Sequence, residues 1–182
     1  MPERQQQLAH LEFLGDATPF APQMHALIPK CPLLENFSQP EVLLLAQFMV
    51  VYRAPPGAEI IREGEGGDFM LMLLEGRVEV HKRDRWNSPQ LLASVESGRT
   101  LGEMSMIDGA PRFATCVAAE SSLIAVLDRE SLARIIVEQP LLGAKVLMEL
   151  VLMLSHRLRA TSQRLLGLLD EQQSQGGAPN ML

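Results

Sequence analysis

Polar and apolar positions change their spacing twice along the chain. Ser38 stands three residues before Glu41, a capping pair, and Val42 to Phe48 supply an apolar stripe, which predicts a helix ending near Val50. From Val50 to Leu127 the apolar runs shorten and are separated by Gly, Pro, Asn and Asp. That texture predicts an antiparallel sandwich or barrel with strands at 50–54, 58–62, 69–74, 77–83, 89–95, 113–119 and 122–127. Val78 and Val80 share one face of their strand, and Arg77, Glu79 and His81 the other. Beyond Asp128, a potential N-cap, residues 129–138 read as a helix, and Pro140 suits the first turn of a second, running to about Asp170. Along it Leu147, Val151, Leu154, Leu158, Thr161, Leu165 and Leu168 recur in alternating steps of four and three. This is a coiled-coil seam with one polar position, and it predicts a dimerisation helix.

These changes divide the 182 residues into a loosely structured lead-in (1–32), a β-rich domain with flanking helices (33–139), a dimerisation helix (140–171) and a disordered tail (172–182). The length suits one domain with an appended helix. Hydrophobic residues make up 47% of the chain but aromatics only 4%, so the core has to be aliphatic and methionine-rich.

Charge and special residues narrow the function. A formal charge of −6 leaves no general field for a phosphate backbone. Cys31 and Cys116 are too few for a disulfide framework or a thiolate metal site and read as reduced thiols. The polar stretch from Met1 to Gln7 is not a secretory signal, and the apolar run from Val146 to Leu154 is too short to cross a bilayer, so a cytoplasmic protein without membrane contact is expected. His10, His25, His81 and His156 are scattered, and no nucleophile elbow, zinc motif or carboxylate pair accompanies them; no enzyme, metal or cofactor is expected. The glycines at 64, 66 and 67 lack dinucleotide spacing and read as a structural corner, and the basic hairpin from His81 to Trp86 as a solvated tip.

The segment that carries chemistry runs from Gly102 to Thr115: Gly-Glu-Met-Ser-Met-Ile-Asp-Gly-Ala-Pro-Arg-Phe-Ala-Thr. A glycine opening a short helical turn lets backbone amides approach an anion closely. Arg112, after the Gly-Ala-Pro bend, can grip a phosphate with its planar fork. Glu103 cannot bind a phosphate but can accept a hydrogen bond from a ribose hydroxyl. Together they suit a small ribosyl phosphate.

These residues, with Gly57 to Gly64 and Glu75 to Val78 upstream, resemble the phosphate-binding cassette of cyclic-nucleotide-binding domains, over residues 37–168. The resemblance implies a mainly β fold with flanking helices, a double-stranded β-helix (jelly-roll) barrel. It places Gly102 and Glu103 at the ribose, Arg112 on the cyclic phosphate, and Phe113 and Ala114 backbone groups on the remaining phosphate oxygens; Met104 and Ser105 are expected among the ligand-binding residues. The stretch from Arg157 to Ser162 looks like the dimer helix of bacterial catabolite activator proteins, which implies that Thr161 meets the adenine from its own subunit and Ser162 from the partner. Thr161 is also the polar member of the seam.

Two departures stand out. Position 113 is Phe where the family pattern has a small residue, and the chain ends at Leu182 without a winged helix-turn-helix, so direct DNA binding is not expected. The expected function is a cyclic AMP-binding regulatory module, homodimeric, which signals to an unknown effector protein through its C-terminal helices. The alternatives are a sensor of cyclic GMP or cyclic di-GMP, or a dimeric scaffold that has lost its ligand, with Phe113 filling the pocket.

Overall fold

The computed structural model describes residues 6–176, with side chains to residue 169. Nine strands form two antiparallel sheets. They are β1 (Glu12–Asp16), β2 (Val50–Ala54), β3 (Glu59–Ile61), β4 (Phe69–Glu75), β5 (Arg77–Arg83), β6 (Pro89–Glu96), β7 (Thr100–Leu101), β8 (Thr115–Ala118) and β9 (Ser122–Asp128). One sheet has the order β1-β2-β9-β4-β7 and the other β3-β8-β5-β6. Helices α1 (Ala21–Ala26) and α2 (Gln39–Ala46) precede β2, α3 (Glu103–Asp108) sits between β7 and β8, and α4 (Arg129–Glu138) and α5 (Pro140–Gly176) follow β9. The architecture is the mainly β, helix-flanked class expected, as two facing sheets.

The centre of the five-stranded sheet is buried on both faces, which is why β4 reads as an unbroken apolar run, Phe-Met-Leu-Met-Leu-Leu. Phe69, Leu71 and Leu73 enter a cluster with Tyr52, Ile61, Val78 and Cys116 between the sheets. Met70, Met72 and Leu74 turn the other way and pack with Val42, Leu45, Leu132 and Val146 under the helices. Burial pushes the Cys116 thiol up to about 12 and the Cys31 thiol also upward, so both are poor nucleophiles.

Within the lead-in expected for residues 1–32, the described residues 6–32 instead join the domain. Strand β1 extends the first sheet by pairing with β2, with a register shift between Phe13 and Gly15. Leu8, Leu11 and Met24 are buried. An edge strand interrupted by a bulge has too short an alternating run to be read locally; its partner forty residues away defines it.

The Ser38–Glu41 pair forms as expected: the Glu41 carboxylate accepts from the Ser38 amide at 2.8 Å and its hydroxyl at 2.7 Å. Lys145 of α5 donates to both oxygens of the same carboxylate at 2.8 Å. Leu142, Val146, Leu150 and Met153 seat the first turns of α5 on the domain, with Glu149 buried beside them and bonded by Asn36 at 2.7 Å. An added Cβ at Gly143 would lie 2.8 Å from the Ile136 Cα, so glycine there permits the tight crossing of α4 and α5. From His156 onward every described side chain of α5 is exposed. The helix continues to Gly176, past the expected boundary at 171 and into the expected disordered tail; residues 177–182 lie outside the described residues.

Candidate functional site

Gly102 is the N-cap of α3 and adopts φ +83°; a Cβ there would lie 2.7 Å from Arg112 Nη1 and 3.0 Å from the Phe69 carbonyl. Only glycine meets both the conformation and the closeness. Its helix presents Glu103 inward, 2% exposed, and Met104 outward. Arg129 holds the far end of α3, donating to the Met106 carbonyl at 2.7 Å and the Ser105 carbonyl at 2.9 Å. A cation on the terminal carbonyls fixes the short helix and favours its dipole.

Arg112 is 3% exposed and lies against the same turn. Its Nη1 donates to the Phe69 carbonyl at 2.8 Å and the Gly102 carbonyl at 2.9 Å, and its guanidinium stacks 4.3 Å from the Phe69 ring. A Cβ at Gly67 would fall 2.0 Å from Arg112 Nε, so the structural corner expected at residues 64–67 also makes room for this side chain. Reciprocal backbone bonds, Arg112 to the Glu65 carbonyl at 2.8 Å and Gly64 to the Arg112 carbonyl at 2.9 Å, tie the loop to that corner.

Of the nine site residues expected from sequence, seven converge. Gly102, Glu103, Met104, Ser105, Arg112, Phe113 and Ala114 line one cavity of about 130 Å³, together with Ile61, Val80, Cys116 and Arg157. Thr161 and Ser162 do not: both are exposed on the projecting part of α5, and the Thr161 hydroxyl donates to the Arg157 carbonyl of its own helix at 2.9 Å. Phe113 does not fill the cavity. Its ring is 59% exposed, with the Lys82 ammonium 4.6 Å from its centroid. Phe113 and Ala114 sit in a bend ahead of β8, which starts at Thr115 rather than at 113.

The charged cavity residue the sequence pattern did not reveal is Arg157. From α5 it donates to Glu103 Oε1 and, through Nη2, to the Thr100 carbonyl at 3.0 Å. Glu103 Oε2 is buried and, among the described residues, has no hydrogen-bond partner. Burial pushes the Glu103 carboxyl above its ordinary range, and the Arg157 charge is the largest influence opposing that rise. The site therefore holds a buried carboxylate with one open acceptor atom, a buried guanidinium and a glycine-lined helix start, all on one small cavity.

Residues 52–139 match the family model of the cyclic nucleotide-binding domain. A solved structure of a cyclic nucleotide-binding domain from Methylobacillus flagellatus is 38% identical, with a TM-score of 0.77, over 86% of this chain and 88% of that one. The chain belongs to the cyclic nucleotide-binding domain family. Catabolite activator protein of Thermus thermophilus is 28% identical, with a TM-score of 0.69, covering 76% of this chain and 63% of that one. The cAMP-dependent protein kinase regulatory subunit of Dictyostelium discoideum is 30% identical over 105 residues, 58% of this chain. The chain spans about a third or less of the length of the kinase regulatory subunits it matches, 32% of the Dictyostelium protein and 26% of an Aspergillus fumigatus one. Among the described residues no helix is long and apolar enough to cross a membrane, and no cluster of three His, Cys, Asp or Glu residues is placed to hold a metal ion.

Proposed function

We propose that this cyclic-nucleotide-binding domain is a homodimeric sensor of cyclic AMP. The observation that carries the assignment is the pair of buried opposite charges on one cavity, Glu103 with an open Oε2 and Arg112 behind the Gly102 turn. A ribose hydroxyl donating to Oε2 completes a buried acceptor, while Arg157 keeps Oε1 and the negative charge. The cyclic phosphate takes Arg112 and the Phe113–Ala114 backbone. About 130 Å³ is below the roughly 300 Å³ of a usual ligand cleft, which suits the ribose and phosphate, with the purine extending outward toward α5. There Thr161 of the same subunit and Ser162 of the other meet the adenine.

The second subunit comes through the seam. Leu158, Leu165 and Leu168 are exposed on a helix that has left its own domain, and the four-three spacing suits a second copy of itself. Ligand contacts on α5 then bias the dimer, and the changed helices address an effector protein. The scaffold alternative, with Phe113 filling an emptied pocket, is disfavoured by the outward ring.

Calorimetric titration of nucleotide-stripped protein with cyclic AMP, cyclic GMP and cyclic di-GMP tests the assignment. Saturable binding of cyclic AMP, weakened about a hundredfold in Arg112→Lys by loss of the planar fork, is the expected result. No heat and no thermal stabilisation with any of the three at millimolar ligand would remove it.

A further inference from the structure

Lys82, on β5, reaches the loop that leads from Arg112 into β8. Its ammonium donates to the Phe113 carbonyl at 2.8 Å and to Glu63 Oε1 at 2.7 Å, and it sits under the Phe113 ring. Glu63 is itself fixed: Oε2 accepts the Arg83 amide at 3.0 Å, and the Glu63 amide donates to Thr115 Oγ1 at 3.0 Å. The Lys82 head group therefore has a carboxylate, a carbonyl and a ring face for neighbours, all on strands of one sheet or the turn beside it.

The peptide joining Phe113 to Ala114 is trans, so its carbonyl and its N–H point in opposite directions. The carbonyl end is held at Lys82, which lines a separate cleft with Glu63, His81 and Thr115. Ala114 lines the cavity of Glu103 and Arg112. Pinning the oxygen on one side of this wall turns the Ala114 N–H toward the other. Ala114 is only 8% exposed, and among the described residues no backbone carbonyl takes up its amide hydrogen. A buried amide without an acceptor is costly, and an anion in the cavity would supply one.

We infer that Lys82 is a positioning residue for phosphate recognition: it orients and polarises the Phe113–Ala114 peptide so that the Ala114 N–H meets one exocyclic oxygen of a cyclic phosphodiester, while Arg112 meets the other. This rests on the cyclic-nucleotide assignment above. The Phe113 ring lies against the same ammonium, 4.6 Å from its centroid, and adds a cation–π contact that helps hold the lysine at the carbonyl. The departure at position 113 thereby acquires a role: in place of a side-chain hydroxyl on the phosphate, the chain holds a backbone donor in place with a lysine against an aromatic ring.

The test compares the unaltered chain with Lys82→Met, which keeps the stem against the ring and removes the donor, and Lys82→Arg, which keeps a donor. Each is titrated with cyclic AMP and with its two exocyclic phosphorothioate diastereomers, in which a weakly accepting sulfur replaces one phosphate oxygen or the other. In the unaltered chain both diastereomers bind more weakly than cyclic AMP. In Lys82→Met, cyclic AMP binds about tenfold more weakly and the penalty for one diastereomer disappears while the other persists; Lys82→Arg restores both. A Lys82→Met chain whose melting point stays within about 2 °C and which binds cyclic AMP undiminished, with both penalties intact, overturns the inference and leaves the nucleotide assignment standing. An unaltered chain that binds no cyclic nucleotide overturns both. If Lys82→Met does not fold, Lys82→Ala, which also removes the donor, goes through the same titrations: loss of one diastereomer's penalty supports the inference, and both penalties intact overturn it.

Discussion

The first and second halves of α5 both carry leucines, six in residues 140–157 and five in residues 158–176, and stand in opposite surroundings. In the first, Leu142, Val146, Leu150 and Met153 bury against the sheet and α2, while Leu147 and Val151 of the seam face outward. In the second, the seam continues through Leu158, 68% exposed, to Leu168 with no domain beneath it. One stripe belongs to the domain and the other runs the whole length of the helix. A helical extension of this size is marginal on its own in water, so its apolar stripe calls for a partner. Arg157 stands where the two halves meet, and it is the residue that touches Glu103.

The largest expected effect separates the halves by stability. Val146→Asp places a charge in a fully buried site and should destabilise the domain by about 4 kcal/mol or more, abolishing a cooperative thermal transition near the native midpoint. The same change at Leu158 should leave the domain's own unfolding within about 1 kcal/mol when both proteins are compared as monomers. Equal losses from the two substitutions would mean that the second half also packs on its own domain.

Next in size is association. Leu158→Asp combined with Leu165→Asp should convert a dimer to a monomer in sedimentation experiments at micromolar concentration, since like charges would meet at two seam positions, one on each side of Thr161. A variant that sediments as the unaltered chain does would place any dimer contact elsewhere.

At the junction the effect should be on ligand and pH. In the proposed complex a ribose hydroxyl donates to ionised Glu103, so binding should favour the deprotonated carboxylate; affinity should fall as pH falls through its raised pKa, above the ordinary 4.5. Arg157→Met removes the main opposing charge, so that fall should move to still higher pH, with affinity about tenfold lower at pH 7. Titrations from pH 5 to 8 check both. An unchanged pH profile would separate Arg157 from ligand recognition.

These contrasts also mark what was legible along the chain. The cassette could be read because its members lie within fourteen consecutive residues, Gly102 to Thr115, and each has a local reason: a positive-φ glycine, a first-turn carboxylate, an arginine after a bend. The four-three periodicity of α5 was legible because spacing needs no knowledge of a partner; that a second copy covers it is the proposal. Arg157 was not, because its role depends on how α5 is rotated against a carboxylate 54 residues earlier. Lys82 looked like part of a solvated hairpin, and the register of β5 against β8, His81 opposite Thr115, is what brings it to the cassette loop. Strand β1 was invisible for the same reason, since its pairing with β2 crosses forty residues and a bulge. Phe113 was singled out as a departure, and its side chain faces outward with the Lys82 ammonium 4.6 Å from the ring centroid.

The smallest effect probes how firmly the first half of α5 is tied down. Lys145 and the Ser38 cap hold the Glu41 carboxyl at about 2, well under its ordinary 4.5. A depressed carboxylate stabilises the fold above its unfolded pKa, and that contribution is lost as pH falls through the folded one. Lys145→Met should therefore cost stability at pH 7 and progressively less between pH 4.5 and 2, where both proteins converge. The pair is about a third exposed, so solvent screening limits the loss to under about 1 kcal/mol, a melting shift below about 4 °C. Because the pair lies on the buried side of the junction, nucleotide affinity and sedimentation of Lys145→Met should match those of the unaltered chain. A change in either would mean that the two halves of α5 move as one body, and that ligand at Glu103 is felt at α2 as well as at the seam.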